Sequence, residues 1–230
     1  MHTRPLLAIG VVAPLLFVAA LLIEGFARPG YSSWRDMGSV LSVGPGGWQQ
    51  IVNFIVCGLL IMVSAAGLAR AYPATAWGPR LVAIFGLSLV IAGAFSTDPA
   101  SGYPPGSPPA GGPQTWHGAI HGANAVLAFG SICLAAVIFG RAFARDQHTR
   151  PWARYSYLTA TVGVVLFVAS LTAGMLDQKH VWHNAPAGLL ERLTIILAWS
   201  WLSLVSVRAL RSQSSSHLAH DQLSEATSTG

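Results

Sequence analysis

Residues 48–69 read WQQIVNFIVCGLLIMVSAAGLA, from Trp48 to Ala69, without one Asp, Glu, Lys or Arg. Hydrocarbon offers the backbone no partner, and a helix pairs its N–H and C=O groups within its own segment. A spanning segment therefore reads as about 20 mostly apolar residues in helical form. This stretch meets that length, and the glycine at Gly58 is of a kind tolerated inside membrane helices.

Five more runs of the same character flank it: Leu6–Ile23, Leu81–Thr97, Gly118–Gly140, Tyr155–Leu176 and Leu189–Val207. The first has Arg4 before it and Gly25-Phe26-Ala27 after it, a weak cleavage-like end. Its apolar core exceeds the ~7–15 residues of a signal peptide, so it is read as a retained helix. The expectation is an all-α, polytopic membrane bundle of six transmembrane helices. It forms a single domain over residues 1–211, followed by a polar, Ser- and Gln-rich stretch, residues 212–230, expected to be a disordered cytoplasmic tail.

Composition agrees. Of 230 residues, 53% are hydrophobic and 9% charged, where a water-soluble domain carries about 25% charged residues. The bilayer is the first partner implied. The formal charge of +5 does not indicate nucleic acid, since the arginines stand singly or in small groups between apolar runs and form no basic face. They read as a topology signal. Arg4, Arg70, Arg80, Arg141, Arg145, Arg150, Arg154, Arg208 and Arg211 fall on one side; Arg28, Arg35, Lys179 and Arg192 fall on the other. The positive-inside rule then places both termini in the cytoplasm of a cell-membrane protein. Trp34, Trp48, Trp77, Trp116, Trp152 and Trp182 lie near the ends of runs, where amphipathic rings favour the headgroup region. Cys57 and Cys133 sit inside apolar runs and read as small buried hydrophobes.

With this topology the remaining polar residues gather on the outer side. Among them are Glu24, Asp36, Gln50, Asn53, Asp98, His117, His121, Asp177, His180, His183, Glu191 and Arg192. Ionisable groups at membrane depth are costly, and normally face the bundle interior or a wet cavity. The densest piece is Trp116-His117-Gly118-Ala119-Ile120-His121-Gly122-Ala123-Asn124. Helical spacing puts His117, His121 and Asn124 on one face, a polar stripe descending into the outer leaflet. Two His at i and i+4 can share a divalent metal such as zinc, with Asp98 as third ligand or as base. The same pattern also serves plain interhelical hydrogen bonding, and the His-Glu-x-x-His signature of zinc proteases is absent. Glu191 and Arg192 open the last run. They point about 100° apart and are expected to pair with other helices, Arg192 with Asp98 or Asp177 and Glu191 with a His. The segment from Pro99 to Pro113 is almost all Pro, Gly, Ser and Ala, and reads as an unstructured loop.

Several of these pieces, in this order, resemble a bacterial membrane family known as domain of unknown function 998. They are Arg28-Pro29-Gly30-Tyr31, Ser39, Gly44-Pro45-Gly46-Gly47-Trp48-Gln49, and Asn53-Phe54 with Gly58-Leu59-Leu60. Phe95-Ser96-Thr97-Asp98-Pro99, His117-Gly118 with His121, and Gly188-Leu189-Leu190-Glu191-Arg192-Leu193 complete the set. The resemblance spans residues 8 to 210 and implies a six-helix membrane fold, with no activity attached. A fainter likeness, of chemistry alone, is to seven-helix membrane hydrolases that hold zinc with Ser, Asp and His.

The functional expectation is an outward-facing polar Asp/His pocket on a lipid- or amphiphile-modifying, metal-assisted hydrolase-like enzyme. Its candidate catalytic residues are Asp98, His117, His121, Glu191 and Arg192, and its candidate metal ligands His117, His121 and Asp98. The alternative is a non-enzymatic membrane protein that binds, transports or only holds helices together. An ion or proton relay fits poorly, because the inner halves of the spans carry almost no ionisable residue.

Overall fold

The computed structural model describes residues 3–108 and 112–228, with side chains as far as Gln213. The six apolar runs form six helices: α1 (Thr3–Ala27), α2 (Gly47–Ala71), α3 (Trp77–Ala94), α4 (Trp116–Phe143), α5 (Arg150–Gln178) and α6 (Ala187–Ser228). All six are long and apolar enough to cross a membrane, and the chain is a multi-pass membrane protein. The expected tail begins within the last part of α6, and the side chains from residue 214 onward lie outside those described.

At α3 both boundaries shift toward the N-terminus: it starts at Trp77 and ends at Ala94, where apolarity alone suggests Leu81–Thr97. Pro79 sits in its first turn, where the missing N–H has no intrahelical acceptor in any case. After the Phe95 N–H bonds to Ile91 O, the chain turns extended and leads into Asp98-Pro99.

Each helix packs on its neighbours in sequence, and α6 returns to α1, so the six close into a ring in chain order. Small residues permit the approach. A Cβ on Gly58 of α2 would lie 2.6 Å from the Gly86 carbonyl oxygen of α3, and one on Gly86 would lie 2.7 Å from the Gly58 carbonyl oxygen. The two backbones therefore touch, as at the small-residue interfaces on which membrane helices rely. Trp199 of α6 fills the axis. Its ring lies 4.6 Å from Phe85 of α3, 5.2 Å from Phe17 of α1 and 6.1 Å from Phe129 of α4, centroid to centroid. Trp201 faces α4 and α5, packing on Phe139 and donating to Ser156 Oγ at 3.0 Å. By contrast Trp34, Trp48, Trp77, Trp116 and Trp182 are all about half exposed or more, at span ends as the sequence implied.

Three long connections meet at one end of the ring: residues 28–46, 95–115 and 179–186. They are tied together. Asp177, at the end of α5, accepts from Arg35 Nε at 2.6 Å, Ser101 Oγ at 3.2 Å and the Asn184 N–H at 2.8 Å. One carboxylate thus joins all three connections. The N–H groups of Gly188 and Leu189, which open α6, donate to the carbonyls of Arg35 and Trp34. A Cβ on Gly188 would collide with the Asp36 carbonyl, so this docking requires glycine.

The segment from Pro99 to Pro113 corrects the expectation of an unstructured loop over its described part. Ala100 and Tyr103 bond to each other across a tight turn, and Tyr103 is buried edge-on against Tyr31, ring centroids 5.3 Å apart. Pro104 and Pro105 pack over Gly44 and Gly30 of the first connection. The composition offered no core within the segment itself; the core lies in the neighbouring connection.

Candidate functional site

Beneath the joined connections lies a cavity of about 150 Å³ inside the ring. Residues 37–39 of the first connection and Thr97 of the second border it, and Phe17, Phe54 and Trp199 give it apolar walls. Into this apolar space comes a set of polar side chains from four of the helices. Gln50 belongs to α2, Ser88 to α3, His121 and Asn124 to α4, and Glu191 to α6.

All but Ser88 are held by one end. Asn124 Nδ2 donates to Ser88 O at 2.8 Å, while Asn124 Oδ1 is buried with no protein partner. Gln50 Oε1 accepts from Asn53 Nδ2 at 3.1 Å, and Gln50 Nε2 is unpaired. Ser88 Oγ and Trp199 Nε1 are also buried without a protein partner. Buried polar groups are nearly always hydrogen-bonded, and leaving one unpaired costs roughly 1–3 kcal/mol. Four such atoms on residues that line one cavity therefore mark a place where something polar belongs. His121 Nδ1 lies 2.8 Å from Phe95 O. A carbonyl can only accept, so Nδ1 carries the proton, and Nε2 is the acceptor of the neutral ring. Glu191 Oε2 accepts from the Gly38 N–H at 2.5 Å, which pins the first connection to α6. Among the described residues no Lys or Arg borders the cavity.

Asp98 and His117 stand apart from this cavity. Both Asp98 oxygens are engaged by Thr115, Oδ2 with its N–H at 2.9 Å and Oδ1 with its hydroxyl at 2.5 Å. Thr115 caps α4, its Oγ1 accepting from Gly118 N at 3.1 Å. With its one proton given to Asp98, the hydroxyl can only accept from His117 Nδ1, 3.0 Å away. These residues set where α4 begins. A Cβ on Gly118 would run into the Asp98 carboxylate, so the arrangement admits no side chain there.

The expected convergence of Asp98, His117 and His121 is thus corrected: among the described residues no hydrogen bond joins Asp98 to either histidine. The metal reading of His117, His121 and Asp98 gains no support. Among the described residues no three of His, Cys, Asp and Glu are grouped so as to hold an ion. The physical reason is that Thr115 takes both carboxylate oxygens, while each histidine turns one nitrogen to a local partner.

The pairing expected of Glu191 and Arg192 also differs. Among the described residues Arg192 makes no ion pair; its Nη1 donates to the carbonyls of Ser33, Asp36 and Gly188, each at 3.0 Å. Nη2 meets the Tyr31 hydroxyl, and the guanidinium lies over the Tyr31 ring at 5.2 Å. Arg192 therefore clamps the first connection. Burial pushes the Tyr31 phenol above its ordinary value, against the pull of Arg192. Burial likewise raises the Asp36 carboxyl, opposed by its hydrogen bond from the Ser32 N–H at 2.8 Å. His180 and His183 lie outside the site, exposed with rings 5.7 Å apart.

Gln50, His121, Asn124 and Glu191 were legible in sequence as polar residues at membrane depth. Ser88 and Trp199 were not, since each is ordinary in an apolar helix. No curated protein and no solved structure matches the chain. One family does, over residues 11–208. The same stretch contains most of the ring of helices, the connections that cover its polar end and every side chain named at the cavity, and the chain belongs to the family described as protein of unknown function (DUF998).

Proposed function

We propose that the protein binds a small amphiphile, with an uncharged, hydroxyl-bearing head seated in the cavity among Gln50, Ser88, Asn124 and Trp199. The observation that carries this reading is the set of four buried polar atoms without protein partners, all on residues that line one apolar-walled space. They offer complementary chemistry: Gln50 Nε2 and Trp199 Nε1 donate, Asn124 Oδ1 and His121 Nε2 accept, and Ser88 Oγ does either. A head with both O–H donors and oxygen acceptors satisfies them together. A phosphate head finds no cation there. The volume equals about five waters at ~30 Å³ each, which suits a glycerol-sized group.

On this reading His121 and Glu191 contact the ligand, and any chemistry on it falls to them. Asp98 and His117, acting with Thr115, fix the start of α4 and so the placement of His121 and Asn124. Arg192 holds the first connection over the cavity. The arginine distribution puts both termini in the cytoplasm of the cell membrane and the cavity in the outer half of the bilayer.

The test is thermal stability of the purified protein in nanodiscs of dioleoylphosphatidylcholine, with monooleoylglycerol or dioleoylphosphatidic acid added. A ligand that binds only the folded state raises the melting temperature as its concentration exceeds Kd. Monooleoylglycerol should raise it, phosphatidic acid should not, and Asn124→Leu should abolish the rise. Equal shifts for both lipids, or no shift with either, overturn the proposal.

A further inference from the structure

The cavity has one polar and one apolar neighbour. Toward the joined connections it shares Met37, Ser39 and Thr97 with a smaller space of about 110 Å³ bordered by Arg35 and Asp36. Toward the bilayer it shares Phe129, Phe167 and Leu171 with a groove of about 290 Å³ between α4 and α5. Among the described residues none that borders the groove is charged, and its rims are Val126, Val164 and Val168, all about half exposed at membrane depth. Gly130 borders it at an exposed position, and a Cβ there would meet nothing within 4 Å. α5 is also the least buried of the six spans. Phe129 and Phe167 stack at 4.3 Å between cavity and groove, like the two halves of a door.

We infer that the α4–α5 groove is the tail subsite of the same ligand, a single acyl chain that reaches the cavity sideways from the bilayer past Phe129 and Phe167. This rests on the head-group reading above and adds the class of the molecule: a single-chain amphiphile such as a monoacylglycerol. The order of environments selects that occupant, since polar connections, hydrogen-bonding cavity and charge-free groove follow one another as head and tail do. One ring pair separates the last two, and rotation of aromatic side chains is a small motion beside the parting of two helices. A two-chain lipid needs a second groove continuous with the cavity. The apolar groove between α3 and α4, at Leu81, Ile84 and Leu134, shares no residue with it.

The experiment uses a monoacylglycerol carrying a photoreactive diazirine at mid-chain, with the full-length protein in dioleoylphosphatidylcholine nanodiscs and adducts mapped by peptide mass spectrometry. Adducts should concentrate on residues 126–133 and 164–171 and fall severalfold with excess unlabelled monooleoylglycerol. They should fall comparably in Gly130→Trp, which fills the groove; Gly130→Leu, a smaller filling of the same open space, guards against misfolding. Competable adducts on other helices, unchanged in both variants, overturn the groove while leaving the head-group reading intact. Adducts that unlabelled monooleoylglycerol does not compete at any residue overturn both.

Discussion

Gly118 shows how much of the site depends on one missing side chain. It follows the His117 that meets Thr115 and precedes the His121 that borders the cavity, and the Asp98 carboxylate occupies the space where its Cβ would stand. Gly118→Ala must displace Asp98, and with it both hydrogen bonds to Thr115 and the cap of α4. Overpacking of this kind costs about 1–3 kcal/mol, and a lost cap about 0.5–2. We expect a lower melting temperature in Gly118→Ala, with part of the loss recovered in Gly118→Ala/Asp98→Ala. Additive losses in the double variant would show that the two residues do not meet. Arg192 belongs to the same scale. Its motif was legible, but its partners are backbone carbonyls, which carry no signature in sequence.

Among the elements, α2 and α3 are joined by backbone contact at Gly58 and Gly86, each blocking a Cβ on the other. Lipid tails are as apolar as leucine, so close van der Waals packing, not water exclusion, holds such helices together. Gly58→Leu or Gly86→Leu should force α2 from α3 and lower stability by about 1–3 kcal/mol or more. Because Gln50 and Ser88 ride on these helices, the monooleoylglycerol shift should fall as well. Thermal scans with and without the lipid check both effects, and a variant as stable as the parent would mean that the helices are not in contact there. At Gly130 the same kind of residue does the opposite. Nothing packs against it, and a larger side chain there changes the groove and not the ring.

At the scale of the molecule, Asp177 ties the three connections into one cover, with Arg35, Ser101 and Asn184 each reaching it from a different direction. A cover assembled this way needs all six helices in place, which is consistent with a ring closed by α6 against α1. The nine-to-four division of Lys and Arg predicts the side on which it lies. Reporter fusions after Arg145 and after Arg211 should read as cytoplasmic and one after Gly106 as external. An external signal from the Arg145 fusion reverses the topology and moves the cavity to the inner leaflet.

Sequence alone determined that there are six spans and where nearly all of them lie, because a bilayer punishes unpaired backbone and buried charge so heavily that composition must declare them. It also marked the polar residues gathered at one end of the spans and the stripe of His117, His121 and Asn124, since helical periodicity is local. What only the tertiary structure decided is which of these residues share a space. His121 and Asn124 turn into the cavity with Gln50 and Ser88, whereas Asp98 and His117 close around Thr115 at the head of α4. The loop from Pro99 was misread for the same reason: Tyr103 finds its partner in Tyr31, some seventy residues earlier in the chain. Spacing within one helix fixes direction, but the ring closure that brings α2, α3, α4 and α6 around one cavity is a long-range contact that no window of sequence contains.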